Sequence, residues 1–513
     1  MQDQSDWLLD CAETNKSHRG DKIGRPFLRH SLLQRVRRKY ELRTAGIRML
    51  LRPRVIVLVL LPFATILSVR QPAHAIPAFA RKYSLPCSAC HEAWPKLNDF
   101  GIAFRDRGYQ LGNEKDSPIW QNPGYWPITM RITPQWHRES SSDQVVDTVP
   151  GNPALGQAFQ NVTTDGFDFG GLDLWAAGTL YKNISFSVLP SSDSSGSFHF
   201  ENVFVRFDNL FGSPWLNAKF GKFELDNLIS EKRMLFLSDN GGFYHIYHYL
   251  PFRETQFQAS NPAIAQFSPV FGIGDNQVGV ELSGHSENSY TRYSLAVLSS
   301  SDGNPGLQNR TYDAFASFNQ GFQLGKLGVQ RVGAFTYFGQ RPTFFNTSLG
   351  NPVLGQGLGN KSFYRAGLTG LFYVKKLDFS TVFMHGWDNA FLGAGTAANT
   401  PLPLGAGAPT WNGGFLETHF TYSPQLIFVQ RNEIVRMSRQ VFSTDPRDLG
   451  DVDAYSFGLR YYPFMSSRAG LAVHTEYSLL RSYKSASPLP TSTSPFGPDL
   501  RTSSVFIGLD FAF

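Results

Sequence analysis

Apolar and polar residues alternate at every second position along much of the chain after residue 128. The clearest stretch is the last one, in which every second residue is apolar: Val505, Ile507, Leu509, Phe511 and Phe513. Alternation at period two is typical of a β-strand with one apolar and one polar face. The same pattern predicts sixteen strands, at 129–139, 171–182, 184–190, 198–208, 215–225, 277–284, 290–299, 310–319, 327–339, 361–374, 377–388, 411–422, 425–437, 452–462, 469–481 and 503–513.

The connections between the predicted strands alternate in length. Those after even-numbered strands are short, such as Asn183 alone. Long loops at one end and short turns at the other are typical of a transmembrane β-barrel, whereas a soluble sandwich or propeller needs no such alternation. We therefore expect an all-β outer-membrane barrel of about 16 antiparallel strands over residues 126–513. The connections after odd-numbered strands are 140–170, 191–197, 226–276, 300–309, 340–360, 389–410, 438–451 and 482–502.

The final Phe513 adds to this interpretation. An alternating strand that stops on Phe resembles the C-terminal signature of bacterial outer-membrane barrels. We therefore expect this residue to matter for assembly of the barrel.

The beginning of the chain has the organisation of an export signal. A basic region precedes the apolar run Val55–Val69, and Ala73-His74-Ala75 follows as an A-x-A cleavage site. The apolar run is short for a membrane-spanning helix. Residues 1–75 are therefore predicted to be an N-terminal extension and signal peptide, with Ile76 first in the mature chain. A start at Met49 would give a signal peptide of ordinary length, so translation of residues 1–48 stays open.

Removal of the predicted signal peptide changes the sign of the protein's net charge. The whole chain has a formal net charge of +6, but residues 1–75 hold 14 Lys or Arg and 6 Asp or Glu. Removing that net +8 leaves the mature protein at −2. The basic character thus belongs to the predicted leader, and nucleic-acid binding loses its support.

A C-x-x-C-H sequence, Cys87-Ser88-Ala89-Cys90-His91, lies shortly after the predicted cleavage site. It is the attachment signature of a c-type haem, in which two thiols form thioethers with the macrocycle. His91 is then placed to bind the iron as the proximal axial ligand. The third cysteine, Cys11, lies in the predicted leader. The alternative, half of a zinc site, needs two further ligands of matching spacing, and no second cysteine pair follows.

We therefore expect one covalently attached haem c, held by Cys87 and Cys90, with His91 as the metal ligand. A short helix is predicted to follow, because Leu97 and Phe104 recur at helical spacing. Pro95 suits its first turn and Gly108 its C′ position.

The predicted haem segment, residues 76–125, is near the lower size limit for a domain with its own core. A barrel of sixteen strands leaves a lumen wide enough for water unless something occupies it. The segment is joined to the first strand without a linker-like run. We therefore expect it to occupy the periplasmic mouth or the lumen of the barrel.

The region Ile76–Tyr109 resembles, motif by motif, the fused outer-membrane monohaem cytochrome–porins. The resemblance rests on Ala75-Ile76-Pro77-Ala78-Phe79-Ala80-Arg81, the C-x-x-C-H sequence, and Gly101-x-x-Phe104-Arg105-x-x-Gly108-Tyr109. This family includes iron oxidases of iron-oxidising bacteria and joins an N-terminal haem segment to a porin of sixteen strands. The residues Lys82-Tyr83-Ser84 and Gly101-Ile102 differ from those of the iron oxidases, so the resemblance implies the architecture and leaves the electron donor open.

The sixth ligand of the iron cannot be read from spacing. For each candidate, the alternative is an ordinary surface or hydrogen-bonded side chain. The choice matters because axial ligands and burial set the haem potential. The candidates are Met130, His137, His199, His245, His248, His419 and His474.

The loop 226–276 contains Glu231-Lys232-Arg233-Met234 and then the aromatic run Phe243-Tyr244-His245-Ile246-Tyr247-His248-Tyr249. One interpretation is a constriction folded into the lumen above the haem. The other, which we favour from sequence, is an extracellular loop packed on its own aromatic residues.

Three classes of function follow. The first is an electron conduit between an extracellular donor, with Fe(II) as one candidate, and periplasmic c-type cytochromes or other acceptors. As an Fe(II) oxidiser it would count as an electron-transfer enzyme. The second is a diffusion porin with a haem-bearing plug or sensor. The third is a haem peroxidase, which needs an open sixth position and a distal His/Arg pair. A single haem mounted in a membrane wall favours the conduit.

Overall fold

The computed structural model describes residues 77–83, 85–111, 128–192, 196–238, 240–249, 272–299, 312–342, 344–346, 351–353, 360–388, 410–439, 451–465, 469–483 and 499–513. The predicted extension and signal peptide, residues 1–75, lie outside these ranges, as does the predicted boundary near residue 125. Within the described ranges, no helix combines the length and apolar character that a membrane span requires.

The chain begins with a small mixed segment. It consists of α1 (Pro77–Tyr83), α2 (Cys87–Cys90), a hairpin of β1 (His91–Ala93) and β2 (Lys96–Leu97), and α3 (Asp99–Asp106). We call residues 77–111 the plug.

Sixteen antiparallel strands then form a closed barrel, in which the last strand pairs with the first. This confirms the predicted fold class and strand number. A separate hairpin, β12 (Phe344–Asn346) and β13 (Asn351–Val353), follows the ninth barrel strand in the chain and is not part of the barrel sheet. The barrel strands are β3 (Ile128–Asp147), β4 (Gln157–Tyr181), β5 (Ile184–Ser192), β6 (Phe198–Phe207), β7 (Asn217–Glu224), β8 (Asn276–His285), β9 (Thr291–Ser299), β10 (Tyr312–Gln323), β11 (Val329–Pro342), β14 (Asn360–Val374), β15 (Leu377–Trp387), β16 (Thr410–Ser423), β17 (Leu426–Arg439), β18 (Val452–Met465), β19 (Gly470–Ser482) and β20 (Leu500–Ala512).

Apolar side chains face outward from the barrel and polar ones face inward. On β20, Val505, Ile507 and Leu509 are 37%, 47% and 42% exposed, whereas Asp510 is fully buried. This arrangement inverts that of a soluble protein and is the one a lipid-facing barrel requires. Other exposed apolar residues at alternate positions are Val203, Val205 and Phe207 on β6, Val278, Val280 and Leu282 on β8, and Leu295 and Val297 on β9.

Phe513 completes the seam between β20 and β3. Its N–H donates to the Met130 carbonyl at 2.9 Å, and the Met130 N–H donates to the Phe513 carbonyl at 2.8 Å. Its ring lies 5.2 Å from the ring of Phe511. The residue therefore extends the strand pairing by one step beyond Ala512.

The predicted alternation of mostly long and short connections is confirmed for most of the barrel, although the connection between β5 and β6 (193–197) is shorter than the one between β6 and β7 (208–216). The predicted loop 140–170 is wrong, because β3 and β4 continue as a paired hairpin up to Asp147 and Gln157. Polar cross-strand contacts hold this extension, such as that between the Ser140 and Thr163 hydroxyls at 2.9 Å. Its side chains lack the apolar alternation that identified the other strands, so the pattern underestimated both strands.

The plug lies inside the barrel, at the end that carries the short turns. The Arg81 guanidinium donates to the Ile128 carbonyl at 2.8 Å, and the Gln110 amide donates to the carbonyl of Lys182, in the turn between β4 and β5, at 2.8 Å. The described part of the predicted segment, within residues 77–111, therefore occupies the mouth and lumen of the barrel as predicted, and residues 112–125 lie outside the described ranges.

Ion pairs join the plug to several sides of the barrel wall. The pairs of Lys96 and of Asp106 are buried, whereas Asp99 is partly exposed; breaking one partner of a buried pair leaves an uncompensated charge, which costs about 3–5 kcal/mol. The plug is therefore fixed in one orientation rather than loosely held. The pairs are Lys96 with Asp378 on β15, Asp99 with Arg331 on β11 (2.7 Å), and Asp106 with Arg292 on β9 (2.8 Å).

Helix α3 begins later than predicted. Pro95 lies in the turn between β1 and β2, and the helix starts at Asp99. The reason is the cap: the side-chain oxygen of Asn98 accepts the Gly101 N–H at 2.9 Å, which satisfies a donor that the first turn leaves open.

The end of α3 is as predicted. Gly108 adopts a left-handed conformation, with φ of +73°. The Tyr109 N–H donates to the Phe104 carbonyl at 3.0 Å and the Gly108 N–H donates to the Arg105 carbonyl at 3.2 Å. These are the two bonds of a Schellman motif, and the Phe104 and Tyr109 rings pack at 6.1 Å.

The loop after β7 folds into the lumen, so the favoured interpretation of a self-packed extracellular loop is wrong. We call the described residues 225–249 the inward loop. The Tyr244 ring stacks on Phe415 at 4.2 Å, and the Ile246 N–H donates to Glu433 at 2.6 Å. The wall of the barrel thus supplies both the aromatic partners and the acceptors that a buried backbone requires.

Candidate haem site

The C-x-x-C turn is fixed by the start of α3. The Asn98 side-chain amide donates to the carbonyls of Ser88 (3.2 Å) and Ala89 (3.1 Å). A Cβ at Gly101 would lie 2.1 Å from the Cys90 carbonyl oxygen. Glycine is therefore needed at this position, because α3 approaches the turn that carries the two thiols more closely than a side chain allows.

Both thiols of the motif are free. Cys87 is buried and packs with Ala80, whereas Cys90 lines a cavity in the lumen. Burial raises the pKa of Cys87 to about 12 and that of Cys90 to about 11. Both side chains are thus protonated thiols near neutral pH, and neither is consumed in a disulfide.

His91 has the protonation state that an axial ligand needs. It is 5% exposed, and burial lowers its pKa to about 4. Its Nδ1 lies 3.2 Å from the Pro95 carbonyl oxygen. In the tautomer that makes this hydrogen bond, Nδ1–H donates to Pro95 and Nε2 keeps a lone pair for a metal.

The zinc alternative is not supported by the geometry. Among the described residues, the His, Cys, Asp and Glu side chains that converge in a group of three are Glu231, His248 and Asp275. The thiols and imidazole of the motif do not form such a group. A tetrahedral zinc site would require four converging ligands.

A cavity of about 690 Å³ adjoins the motif and is lined by Cys90 and His91. This volume lies within the ~300–1,000 Å³ range of ligand sites. Its walls combine apolar rings with cationic side chains, as a planar macrocycle with two carboxylate substituents requires. The residues present therefore fit a haem. The apolar set includes Phe79, Trp94, Leu97, Phe104 and Trp175, and the cations are Arg105, Arg131, Lys232 and Arg233.

Of the seven predicted candidates for the sixth ligand, His137 is the one that lines this cavity. Its Nε2 is buried and has no hydrogen-bond partner. Met130 faces away, because it alternates on β3 with the cavity-lining Thr129 and Arg131. The other candidates contact polar partners: His199 with Glu201, His248 with Glu231, His474 with Glu476, His419 with Asp378 and Glu417, and His245 with the Asn240 carbonyl.

The sequence did not assign a role to Met234, which also lines the cavity. Besides burial, the positive charge of the adjacent Arg233 helps to lower the pKa of His91. On the other side, Leu235 belongs to the same apolar cluster as Ala93. Met234 is thus flanked by residues that lie near the C-x-x-C-H turn. Its approach depends on the inward fold of the loop, which spacing could not reveal.

These features define the class of the molecule. It is a closed β-barrel of sixteen strands whose lumen holds an N-terminal plug with a C-x-x-C-H turn and an inward-folded loop.

Solved structures of similar shape are outer-membrane proteins. The trimer form of OmpT from Vibrio cholerae is 11% identical, with a TM-score of 0.42, over 75% of this chain and 99% of that one. The anion-selective porin from Comamonas acidovorans is 9% identical, with a TM-score of 0.43, over 75% and 99%. The channel DcaP of Acinetobacter baumannii is 10% identical, with a TM-score of 0.45, over 75% and 97%. Likeness at this level carries no argument about function.

No protein-family model matches the chain, and no curated protein matches it.

Proposed function

We propose that this chain is an outer-membrane cytochrome–porin that carries electrons between an extracellular donor and periplasmic c-type cytochromes. One observation carries the proposal. The C-x-x-C-H turn lies inside the barrel, where a neutral His91 faces a cavity with the size and lining for a macrocycle. A redox group in this position would lie inside the lumen, surrounded by the barrel strands.

The outer surface of the barrel supports the membrane location. Strands expose Val, Ile, Leu and Phe at alternate positions, while the interior holds ion pairs such as Arg460 with Asp510 at 2.6 Å. Contact with outer-membrane lipid buries the apolar side chains and leaves the charges in the lumen.

A haem c bound at Cys87 and Cys90 would supply a one-electron Fe(III)/Fe(II) couple. His91 would hold the iron from one side, oriented by its bond to the Pro95 carbonyl. Met234, which lines the cavity, is our choice for a second residue that would hold the group, because both of its chain neighbours lie close to the motif. If both His91 and Met234 held the group, no position would be left open for peroxide, which would disfavour a peroxidase and suit electron transfer.

Occupation of the lumen favours the conduit over a diffusion channel. The plug pairs with residues on β9, β11 and β15, and the inward loop contacts β16 and β17. The second candidate is a porin with a haem-bearing plug. It is supported by the polar part of the cavity, which is lined by four carboxylates as well as by the cations: Asp168, Asp173, Glu201 and Glu224. A water-filled passage for small solutes could use these groups.

Two measurements on the purified chain test the proposal. Replacing both cysteines (Cys87→Ala and Cys90→Ala) is expected to abolish haem staining on a denaturing gel, while Ser88→Ala, between them, keeps the stain. Staining that survives in the double variant would exclude this attachment site.

Planar bilayers separate the conduit from the porin. The intact chain is expected to show little conductance, and deletion of residues 77–111 is expected to raise it, because sixteen strands alone leave an aqueous lumen. A large conductance that is the same with and without the plug would favour the diffusion porin.

A further inference from the structure

We propose that Glu231, His248 and Asp275 form a binding site for a divalent first-row metal ion, and that Glu231 links this site to the cavity that adjoins His91. One potential ligand atom from each residue lies within 4.8 Å of the others. The inference deepens the proposed function, on which its redox part rests, by naming where a ferrous donor would bind.

The imidazole of His248 lies between the two carboxylates, so one of its nitrogens can bind an ion while the other stays hydrogen-bonded to a carboxylate. His248 Nε2 lies 2.7 Å from Glu231 Oε2, and His248 Nδ1 lies 3.8 Å from Asp275 Oδ2. Two carboxylates and an imidazole combine hard and borderline donors, which suit Fe²⁺, Mn²⁺ and Zn²⁺. The three residues come from the inward loop and from the turn before β8, so the site exists only because this loop folds into the lumen.

An unsatisfied buried carboxylate supplies an independent observation. Glu231 is 2% exposed, and its Oε1 has no hydrogen-bond partner. A buried carboxylate oxygen without a donor is costly unless a cation or a proton compensates it. An ion bound between Glu231 and Asp275 would provide that compensation.

The nearby cations are engaged elsewhere. Lys232 lies 3.5 Å from Glu201, and Arg233 lies 3.0 Å from Glu224. These pairs leave His248 as the basic partner that contacts Glu231. Within the described residues, His248 is therefore the basic side chain in direct contact with both carboxylates.

Two glycines let the turn before β8 close over the site. A Cβ at Gly274 would lie 1.6 Å from Glu231 Oε2, and one at Gly272 would lie 2.1 Å from His248 Nδ1. Glycine is used where a backbone must approach a ligand or another group this closely. The turn is thus shaped around the Glu231 and His248 side chains.

The position of the site gives it a role. Glu231 lines the same cavity as Cys90 and His91. A bound Fe²⁺ would lose one electron to become Fe³⁺, and the covalently bound ferric haem of the proposed function would take up that electron. No atom or proton is transferred, so the two iron centres balance the step.

Metal binding is tested on the full-length chain after chelator treatment, with Mn²⁺ followed by electron paramagnetic resonance. We expect one Mn²⁺ per chain. The affinity for Mn²⁺ is expected to be at least ~10-fold weaker in Glu231→Gln and in His248→Gln, because mutating even a residue that only supports a metal ligand weakens binding by about that factor. His245→Gln is the matched control, because His245 lies in the same helical turn and contacts the Asn240 carbonyl instead. Binding that is absent from the intact chain, or unchanged in Glu231→Gln, would overturn the proposal.

Separate variants distinguish a failure of the metal-site proposal from a failure of the haem proposal. In the haem-free Cys87→Ala and Cys90→Ala variant, Mn²⁺ binding is expected to persist, and in Glu231→Gln the haem stain is expected to persist. A Glu231→Gln chain that stays stained but shows slower haem reduction by Fe²⁺ supports the site as the place of donor binding. Reduction by Fe²⁺ at an unchanged rate would contradict that role.

Discussion

Asn98 shows how a single residue organises the candidate site. Its side-chain oxygen caps α3, and its nitrogen donates to two carbonyls of the C-x-x-C turn. The motif itself was readable from sequence, because its chemistry depends on the spacing of three residues. The cap was not, since the helix was expected to begin at Pro95 and only the hairpin between β1 and β2 moves its start to Asp99.

Replacing Asn98 is expected to loosen the haem turn. Asn98→Ala removes a cap worth ~1 kcal/mol together with both bonds to the turn, whereas Asn98→Asp keeps the cap and loses the two donors. We expect lower haem occupancy in both variants, with the larger loss in the alanine variant, measured as the ratio of haem absorbance to protein. Equal and full occupancy in both would contradict the role of Asn98.

Replacing Met234 tests whether its thioether binds the haem iron. If its thioether binds the iron, Met234→Leu is expected to remove the weak long-wavelength charge-transfer band of thioether-ligated ferric haem. It is also expected to lower the midpoint potential by on the order of 0.1 V, within the ~0.8 V that axial ligands span. His137→Gln is the comparison, because His137 lines the same cavity. If the spectrum changes only in His137→Gln, the second iron ligand would be His137 and not Met234.

The strands were the most predictable elements. All sixteen were anticipated, because outward and inward positions differ in polarity and the strand period is two. The hairpin extension of β3 and β4 was missed, since its polar side chains carry no such contrast. The inward loop was placed on the wrong side for a related reason: its aromatic residues pair with Phe415 and Trp411, which lie far away in sequence.

The end of β20 gives a prediction for this element. Deleting Phe513 removes the two backbone bonds to Met130 and the ring that packs near Phe511. We expect a smaller fraction of heat-modifiable, folded barrel on gels of outer-membrane fractions, because the seam between β20 and β3 is shortened. Phe513→Tyr keeps the ring and the backbone and should assemble normally. Equal assembly of the deletion and the parent would exclude this role.

The plug and the inward loop are connected by ion pairs inside the barrel. Arg105 of the plug lies 3.4 Å from Asp226 of the inward loop, and Arg292 on β9 lies 2.7 Å from the same carboxylate. Burial raises the pKa of Asp226, but the two guanidinium groups outweigh it and hold that pKa below its usual range. The junction therefore keeps its charge pairing well below neutral pH. The predicted lumen location of residues 76–125 followed from their small size and the width of the barrel, whereas these contacts required the fold.

We propose that electrons cross the barrel through a haem at His91. The most direct measurement reconstitutes the intact chain into vesicles that enclose a c-type cytochrome, adds an external one-electron donor that cannot cross the membrane, and follows reduction of the enclosed protein. We expect reduction by the intact chain and by His385→Ala, a control on the exposed side of β15, and reduction no faster than in protein-free vesicles for His91→Ala. Reduction by His91→Ala at the rate of the intact chain would show that electrons reach the enclosed cytochrome without a haem held by His91.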